Sequence, residues 1–580
     1  MKKTISFILS AILLSTAFTG CGKEKGKDQA ATTTAATEDN SAAVRAEKYS
    51  SAVKALADDE LEADGTYTMS EDLVIALENA TFTQPKNVIY MIGDGMGFSQ
   101  IEGAEAYYSD KLYEGKMAWR YLPMVSSQST SSSSDLVTDS AAGGTALSTG
   151  YRTSNGTVAM DEQYSENFKT VLELAAEKGK STGIIATKNV TDATPASFTA
   201  HVTSRAEEGE IASQQADKLV DGSLDLVLGG GAKYYDKNRD KITEALSDAG
   251  VTYTKDFSEA KDAALPLVGL FNDEELVTTD ADAPTLAEMT DIALDKLSED
   301  ENGFFIMIEG SQIDSYGHDS DLEGQMYEMY QFDCAIAVAL RFAAMNPDTV
   351  IIITADHETG GLIIPDAPSK DNVKDGSKYT SDGSHTQANV PVLAIGHGTD
   401  TLSGINHNTD CAIFVASVLG EKDFGQSKTV STLLDADAAD NISAVAEANP
   451  GMATAADGAV SVSFGGENDS LIMPVDAFDT PMKNIKNART VVITMTNKGE
   501  AVTTAPILRL TAPRTEVEVE ALACTIDAGE TVVVTYPLPF ECWNTGRLMF
   551  LSEMALGYAD GTAATLEIGD MFITERPLGR

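Results

Sequence analysis

The chain has 580 residues and a formal net charge of −48 at pH 7, with 41 basic and 89 acidic side chains. A chain of this length can form one large domain with a smaller one, or three ordinary domains. The acidic balance argues against a nucleic-acid-binding surface. Because it also repels anions at long range, any anionic substrate must be attracted by local positive centres such as metal ions.

Residues 1–20 have the pattern of a secretory signal peptide: two lysines, a mostly apolar run and then small residues. The apolar run is too short for a dependable membrane span. The next residues complete the stretch 18–21 (FTGC), which resembles a bacterial lipoprotein processing site. Cys21 is therefore predicted to carry a lipid that holds the protein at the membrane outside the cytoplasm, at the cell surface or in the periplasm. Release after ordinary signal cleavage is the alternative.

Small and charged residues dominate residues 21–47, which are predicted to form a disordered tether. A catalytic domain is predicted over residues 48–450, where apolar runs typical of buried strands alternate with helical patterns. The predicted strands are 88–92, 182–187, 224–228, 304–308, 350–354 and 392–395. One helix, 286–297, is preceded by a capping box from Thr285 to Glu288. The alternation predicts an α/β three-layer sandwich around a largely parallel sheet, with functional residues past the C-terminal ends of the strands.

From residue 455 onwards, the sequence consists of segments that are rich in β-branched residues or that alternate apolar and polar residues. This pattern predicts an all-β sandwich over residues 455–580. Its expected strands are 491–496, 507–511, 516–522, 531–536, 548–551 and 566–573. Cys524 and Cys542 are close enough in sequence to form a disulfide outside the cell. The ending 568–573 (IGDMFI) faintly resembles the last strand of jelly-roll carbohydrate-binding modules, with Trp543 as a candidate for sugar stacking. Packing on the enzyme or on a cell-surface polymer without a ligand is the alternative.

The stretch 136–146 (LVTDSAAGGTA) places Ser140 after an acidic residue and before small residues that can continue as a helix, with Gly150 positioned to end it. A serine at a helix N-terminus lies where backbone N–H groups favour an anion. Alone, Ser140 would be an ordinary capping residue, because a hydroxyl is a weak nucleophile without a base or a metal. No G-x-S-x-G motif surrounds it, which argues against a hydrolase triad.

Acidic residues follow three predicted buried strands: Asp94, Glu309 and Asp356. Further potential ligands lie close to these strands or before the last one, namely Asp314, His318, His357 and His385. Converging carboxylates would cost several kcal/mol in repulsion and desolvation unless metal ions neutralise them. Mixed carboxylate and imidazole ligands suit zinc, whereas carboxylate and hydroxyl ligands suit magnesium.

Together these motifs resemble the alkaline phosphatases over residues 85–419. The matching stretches are 93–97 (GDGMG), 138–142 (TDSAA), 192–196 (DATPA), 201–205 (HVTSR), 309–318 (EGSQIDSYGH), 354–358 (TADHE) and 385–386 (HT). The resemblance implies one Zn²⁺ held by Asp314, His318 and His385, and a second held by Asp94, Asp356 and His357. It also implies one Mg²⁺ bound by Asp94, Thr194 and Glu309, with Asp192 orienting its waters.

The same resemblance implies hydrolysis of small phosphate monoesters through a phosphoserine at Ser140, with Arg205 binding the phosphoryl oxygens and activity rising into alkaline pH. Family members often form dimers, so a homodimer is one expected arrangement. Ser315 differs from the lysine or histidine of some members, and the histidines outside the ligand set (His201, His397 and His407) are predicted to be structural. The alternatives are a phosphodiesterase of the same superfamily and a catalytically silent lipoprotein that binds phosphate or a cell-wall polymer. A sulfatase would need a Cys/Ser-x-Pro-x-Arg motif, which does not surround Ser140.

Overall fold

A computed structural model describes residues 31–574, apart from residues 238, 281, 404, 426–428, 435–438, 457, 466–468, 475–489, 513–514, 522–524, 539–552 and 559–561. The described residues form an α/β unit followed by a unit of antiparallel sheets. Several predictions lie outside them: the signal peptide, the lipid on Cys21, the strand 548–551, the disulfide between Cys524 and Cys542, and the role of Trp543.

Apolar, β-branched runs form the strands of the first unit. They are β1 (Asn87–Gly93), β2 (Met124–Ser129), β3 (Ser181–Asn189), β4 (Leu226–Gly230), β5 (Thr252–Thr254), β6 (Leu267–Leu270), β7 (Phe304–Gly310), β8 (Thr349–Thr354), β9 (Glu358–Thr359), β10 (His385–Thr386), β11 (Val390–Ile395) and β12 (Ile405–His407). Ten of them form one sheet in the order β12-β2-β11-β8-β1-β7-β3-β4-β6-β5. In this sheet β11 pairs antiparallel with β2 and β8, and the other described neighbours pair in parallel. All six predicted strands belong to this sheet.

Helices cover both faces of the sheet. They are α1 (Ala31–Leu56), α2 (Glu71–Asn79), α3 (Phe98–Tyr107), α4 (Ser140–Thr149), α5 (Val171–Glu177), α6 (Ala193–Thr199), α7 (Glu208–Asp221), α8 (Ala232–Lys237), α9 (Arg239–Asp248), α10 (Phe257–Asp262), α11 (Leu286–Leu297), α12 (Gln312–His318), α13 (Leu322–Met345), α14 (Lys370–Gly376) and α15 (Asn408–Val418). Ile89 and Met91 of β1 pack in one core with α11 and α13, whereas Val88 and Tyr90 pack in a second core with α5 and α15. Because successive strand residues face opposite sides, two cores mean three layers, which confirms the predicted fold.

The helix ends follow the predicted local signals. Thr285 accepts a hydrogen bond from the Glu288 N–H at 3.1 Å, and the Glu288 carboxylate accepts one from the Thr285 N–H at 3.0 Å. This is the predicted capping box. Helix α4 begins at Ser140 and ends at Gly150, whose φ of 71° is a left-handed conformation that favours glycine. The start and end predicted from the small-residue stretch are therefore confirmed.

Helix α1 differs from the prediction of a disordered tether, because residues 31–47 belong to it. Alanine has the highest helix propensity, and the C-terminal part of α1 buries Ala52 and Leu56 in the first core. The Tyr49 hydroxyl donates to the Ala344 carbonyl at 2.8 Å, which attaches α1 to α13. Among the described residues, no helix combines the length and hydropathy needed to cross a membrane.

The described residues of the second unit form helix α16 (Ala439–Ala448) and twelve strands. These are β13 (Thr429–Leu434), β14 (Ala453–Ala456), β15 (Ala459–Phe464), β16 (Ser470–Met473), β17 (Thr490–Asn497), β18 (Thr503–Thr504), β19 (Ile507–Ala512), β20 (Thr515–Val519), β21 (Thr525–Ile526), β22 (Thr531–Pro537), β23 (Glu553–Gly557) and β24 (Ala564–Thr574). One sheet has the order β14-β15-β24-β17-β22 with β13 also on β24, and a second has the order β16-β23-β19-β20. Both sheets contribute to one core, for example through Ile493 and Leu510.

The boundary between the units differs from the prediction. Strand β13 pairs with β24, and Leu434, Ile442 and Val445 belong to the core of the second unit. The second unit therefore begins by Thr429, whereas the sequence placed the end of the first unit at residue 450. A strand followed by an amphipathic helix has the same local pattern as the α/β unit, so only the tertiary pairing distinguishes the two.

Candidate active site

The order of the central strands brings the predicted acidic residues to one edge of the sheet. Asp94 and Asp356 come just after β1 and β8, and Glu309 is the penultimate residue of β7. These strands are adjacent in the order β8-β1-β7 and pair in parallel, so their carboxyl ends meet. His385 lies shortly before β11, which runs in the opposite direction. The start of β11 therefore lies at the same edge.

A first group consists of Asp314 and His318, one turn apart on α12, and His385 on β10. The Nε2 atoms of His318 and His385 lie 3.3 and 3.4 Å from the carboxylate oxygens of Asp314, and 3.1 Å from each other. Their Nδ1 atoms face the carbonyl oxygens of Gly383 and Thr138. Because a carbonyl only accepts, each Nδ1 carries the hydrogen, and in neutral imidazoles the two Nε2 lone pairs face each other. A cation between them fits this arrangement.

A second group consists of Asp94, Asp356 and His357, all of which are buried. The Nε2 of His357 lies 3.5 Å from Asp94 Oδ1 and 3.2 Å from Asp356 Oδ2. These two carboxylate oxygens have no hydrogen-bond partner among the described residues. Buried oxygens without partners are costly, and a bound cation would compensate them. The donor set, two carboxylates and one imidazole, suits Zn²⁺.

Thr194 and Glu309 supply two further buried oxygens in the same region. Thr194 is the second residue of α6, and its Oγ1 and the Oε2 of Glu309 have no hydrogen-bond partner among the residues that the structure describes. Hydroxyl and carboxylate oxygens are typical ligands of Mg²⁺. Asp192 caps α6 by accepting from the Ala193 N–H at 2.8 Å.

The electrostatics of the protein alone show how strongly these groups favour a cation. Burial, followed by repulsion from Asp356 and Asp314, raises the pKa of Asp94 well above its ordinary value. Burial and repulsion from Asp192 raise the pKa of Glu309 to about 8, and burial with repulsion from Asp314 raises the pKa of Asp356 to about 6. Burial and the neighbouring His385 lower the pKa of His357, so its imidazole is neutral and can ligate a metal.

Ser140 lies at the N-terminus of α4, next to the second group. Its Oγ is 3.1 Å from His357 Nε2, and the residue is buried. Two glycines allow this close packing. A Cβ on Gly143 would lie 3.0 Å from the Asp356 carbonyl oxygen, and one on Gly144 would lie 2.9 Å from Ser197 Oγ. The run of small residues after Ser140 thus places the hydroxyl against the second group.

Arg205 is the cation expected to bind an oxyanion. Its Nη2 lies 2.9 Å from Asp192 Oδ1, and its Nη1 lies 3.5 Å from Asp139 Oδ2. Asp139 also caps α4 by accepting from the Ala142 N–H at 3.1 Å. The two carboxylates hold the guanidinium next to Asp139, the residue before Ser140, and the side chain keeps 32% of its surface exposed, so it remains accessible to a ligand.

The comparison with known proteins is consistent with this arrangement. The family model described as alkaline phosphatase matches residues 85–374, which is half of the chain. The alkaline phosphatase of Escherichia coli is 30% identical over 62% of this chain and 91% of its own length. The chain belongs to the alkaline phosphatase family.

Other members of the alkaline phosphatase family are also similar. Alkaline phosphatase 3 of Bacillus subtilis is 42% identical over 48% of this chain, and the chain spans 62% of that relative's length. The alkaline phosphatase of the Antarctic bacterium TAB5 is 33% identical, with a TM-score of 0.53 over 60% of this chain and all of that one. A variant of the TAB5 enzyme has been solved with Mg bound in its M3 site.

The structure brings the predicted site residues of this alkaline phosphatase family member to one edge of the sheet. The remaining histidines take other positions. His201 lies 2.9 Å from both the Ala159 carbonyl oxygen and the Glu173 carboxylate. His407 is the N-cap residue of α15, and His397 is exposed.

Sequence reasoning missed two residues of the site. Thr359 donates from Oγ1 to Asp314 Oδ1 at 2.6 Å and lies 3.2 Å from His357 Nδ1, so it connects the two groups. Lys188, near the end of β3, places its Nζ 3.4 Å from Asp314 Oδ2. The motif Thr354-Ala355-Asp356-His357-Glu358 stops one residue before Thr359, and no motif includes Lys188. A lysine next to the end of a buried strand was the available signal for Lys188.

Proposed function

We propose that this protein is a metal-dependent phosphate monoester hydrolase that releases inorganic phosphate through a phosphoserine at Ser140. The observation that carries the proposal is the position of Ser140 Oγ, 3.1 Å from His357 Nε2, at a helix N-terminus beside Arg205. Membership of the alkaline phosphatase family supports it.

Metal binding is proposed from the donor sets. Two zinc ions would be held by Asp314, His318 and His385, and by Asp94, Asp356 and His357. One Mg²⁺ would be held by Asp94, Thr194 and Glu309, with Asp192 next to its waters. Their support is the pair of facing imidazole nitrogens and the four buried oxygens that lack partners among the described residues. When bound, the metals supply Lewis acidity that stabilises the Ser140 alkoxide and the leaving oxygen.

In the proposed reaction, two chemical steps take place at Ser140. Ser140 Oγ releases its proton to solvent and attacks phosphorus, forming the Oγ–P bond while the ester P–O bond breaks. The leaving alkoxide takes up a proton from solvent and departs as the alcohol. The N-terminus of α4 stabilises the negative charge that gathers at Ser140. Water then attacks phosphorus, the Oγ–P bond breaks, and inorganic phosphate and the Ser140 hydroxyl are regenerated.

Arg205 would select for a terminal phosphoryl group. Its planar fork can donate to two oxygens of a phosphoryl group, and its positive charge favours the dianion of a monoester over the monoanion of a diester. Its carboxylate partners, Asp139 and Asp192, are close enough to fix its orientation before the substrate binds. Positioning of this kind avoids an ordering cost during the reaction.

The test compares nitrophenyl phosphate with bis-nitrophenyl phosphate at alkaline pH, before and after chelation and repletion with zinc plus magnesium. A metal-restored preference for the monoester is expected. Preference for the diester would instead indicate a phosphodiesterase, and hydrolysis of neither ester by loaded protein would indicate a binding protein. Rapid quenching with labelled phosphate at acidic pH should leave label on the peptide that contains Ser140.

We also propose that the protein is anchored outside the cytoplasm through a lipid on Cys21. The support is the processing-site pattern at residues 18–21. Parent protein is expected in the membrane fraction, and Cys21→Ser is expected in the soluble fraction after ordinary signal cleavage. Equal membrane association of both would contradict the anchor.

A further inference from the structure

Lys188 is a cation beside the first group of potential ligands, and the chemistry above gives it no role. Its side chain is only 14% exposed, and its Nζ lies 3.4 Å from Asp314 Oδ2. Lys188 thus brings a localised ammonium group to the edge of the first group.

The ammonium of Lys188 has capacity for a further acceptor. It has three donors, and the described residues offer it one hydrogen-bond acceptor, Asp314 Oδ2 at 3.4 Å. That carboxylate is already shared, because its two oxygens lie 3.3 and 3.4 Å from the Nε2 atoms of His318 and His385. The contact with Asp314 therefore uses only part of the hydrogen-bonding capacity of Lys188.

Lys188 also faces open space. It lines a cavity of about 530 Å³ together with Asn189, Asp192, Glu274, Glu275 and Ser315. Of these six residues Lys188 alone is cationic, and three are acidic. The Glu274 carboxylate is paired with Lys233, a residue outside the lining. The carboxylates of this cavity repel a phosphate, so Lys188 is the side chain of the lining that can attract one.

We propose that Lys188 binds the phosphoryl group of the substrate and the phosphate product, donating to an oxygen directly or through one water molecule. This inference rests on the proposed function and adds a specificity residue to it. Ser315, on the same cavity and next to Asp314, carries no charge.

The direct test is the Kd of inorganic phosphate, measured by calorimetry on the full chain loaded with zinc and magnesium. Lys188→Gln should weaken binding about tenfold, as expected for one charge-assisted contact, with an unchanged content of bound metal. Lys233→Gln is the matched control, because it removes the same unit charge next to the same cavity, and it should change the Kd by less than about twofold. Parental affinity in Lys188→Gln, or loss of metal together with affinity, would overturn the proposal.

Two further measurements separate binding from a structural role. The double variant Lys188→Gln/Ser315→Lys, which returns an ammonium to the cavity, should recover most of the lost affinity. In the unaltered protein, phosphate should protect Lys188 from acetylation, as read by mass spectrometry, while Lys233 is labelled equally with and without phosphate. This labelling needs no variant to fold, and equal labelling of Lys188 would contradict the proposal.

Kinetics distinguish failure of this inference from failure of the proposed function. In an active enzyme Lys188→Gln should raise KM about tenfold and change kcat by less than about threefold, because the contact exists in both ground and transition states. Normal hydrolysis with an unchanged phosphate Kd would remove the role of Lys188 and leave the function. If the parent hydrolyses no ester but binds phosphate in a way that depends on Lys188, the role of Lys188 stands and the proposed function fails.

Discussion

The two units of this protein bury their strands differently. Strand β1 is buried at all seven positions, because helices cover both faces of its sheet. In the second unit the two sheets share one core and leave their other faces outside, so neighbouring residues alternate. Val534 is 1% exposed and Val533 is 61% exposed on the same strand, β22.

This difference determines where each unit can place polar groups. A strand covered on both faces can carry functional side chains only near its ends, and in the first unit these ends converge. Among the described residues, two sets of three side chains lie close enough together to hold a metal ion, and both lie there: Asp314 with His357 and His385, and Asp94 with Asp356 and His357. Substitutions at this edge should therefore change activity more than stability, whereas substitutions inside the second unit should do the reverse.

The largest effect should come from Ser140→Ala. Loss of the nucleophile should lower kcat for a phosphate monoester by about 1,000-fold or more, with the midpoint of urea unfolding nearly unchanged. The reason is that the described contacts of the Ser140 hydroxyl consist of one hydrogen-bond contact, with His357. Steady-state kinetics and urea titration of the same sample provide the measurement.

Ser148→Ala is the matched control on the same helix. The Ser148 hydroxyl donates to the Ser197 carbonyl at 2.7 Å, far from the proposed chemistry along α4. It should cost about 1 kcal/mol of stability and leave kcat within about twofold. A parental rate in Ser140→Ala would show that the nucleophile is wrong.

The second effect is on the stability of the metal-free protein. The pKa of Glu309 rises from 4.5 to about 8, and that of Asp356 rises from 3.8 to about 6, mainly through burial. The folded state then binds more protons than the unfolded chain between these values. Through these two groups, the free energy of unfolding should therefore fall by an amount on the order of a few kcal/mol as the pH rises from about 4 to 8.

The stability of the metal-loaded protein should depend much less on pH, because bound cations keep the carboxylates ionised at every pH in this window. Urea unfolding at pH 5, 6.5 and 8, with and without a chelator, measures the difference. Glu309→Gln should reduce the pH dependence of the free energy of unfolding of the metal-free protein. The same substitution should lower the stability of the metal-loaded protein. Metal-free stability that increases with pH would contradict the assignment of a strained carboxylate cluster.

The sequence predicted this edge well because its signals are local. Apolar runs identified the central strands, and the residues directly after them supplied Asp94 and Asp356. Lys188 and Thr359 could not be found in this way, because their roles depend on which strands become neighbours. The short polar strand β2 was missed for a related reason, since it is defined by its pairing with β11 rather than by an apolar run. Helix α1 and the place of β13 depend on packing that local composition does not reveal.

A smaller effect should distinguish the buried face of β22 from its exposed face. Val534→Ala should destabilise the second unit by about 2 kcal/mol, since it removes buried methyl groups from the core. Val533→Ala, at the adjacent exposed position, should change stability by less than about 0.5 kcal/mol. Both variants should retain the parental kcat. If thermal unfolding shows equal losses for the two, the outer face of this sheet is covered by something else in solution.

The smallest effect should be that of Thr285→Ala, which tests whether local capping matters within a unit stabilised mainly by tertiary packing. The hydroxyl accepts from the Glu288 N–H at 3.1 Å and donates to the Gly65 carbonyl at 2.7 Å, so it both caps α11 and attaches the segment before α2. Its loss should cost about 1 kcal/mol, and Thr285→Ser, which keeps the hydroxyl, should cost less than half of that. Because α11 packs against the face of the sheet rather than its catalytic edge, kcat should not change. A loss of activity without a loss of stability in Thr285→Ala would show that the covering layer and the edge are coupled, against the separation argued here.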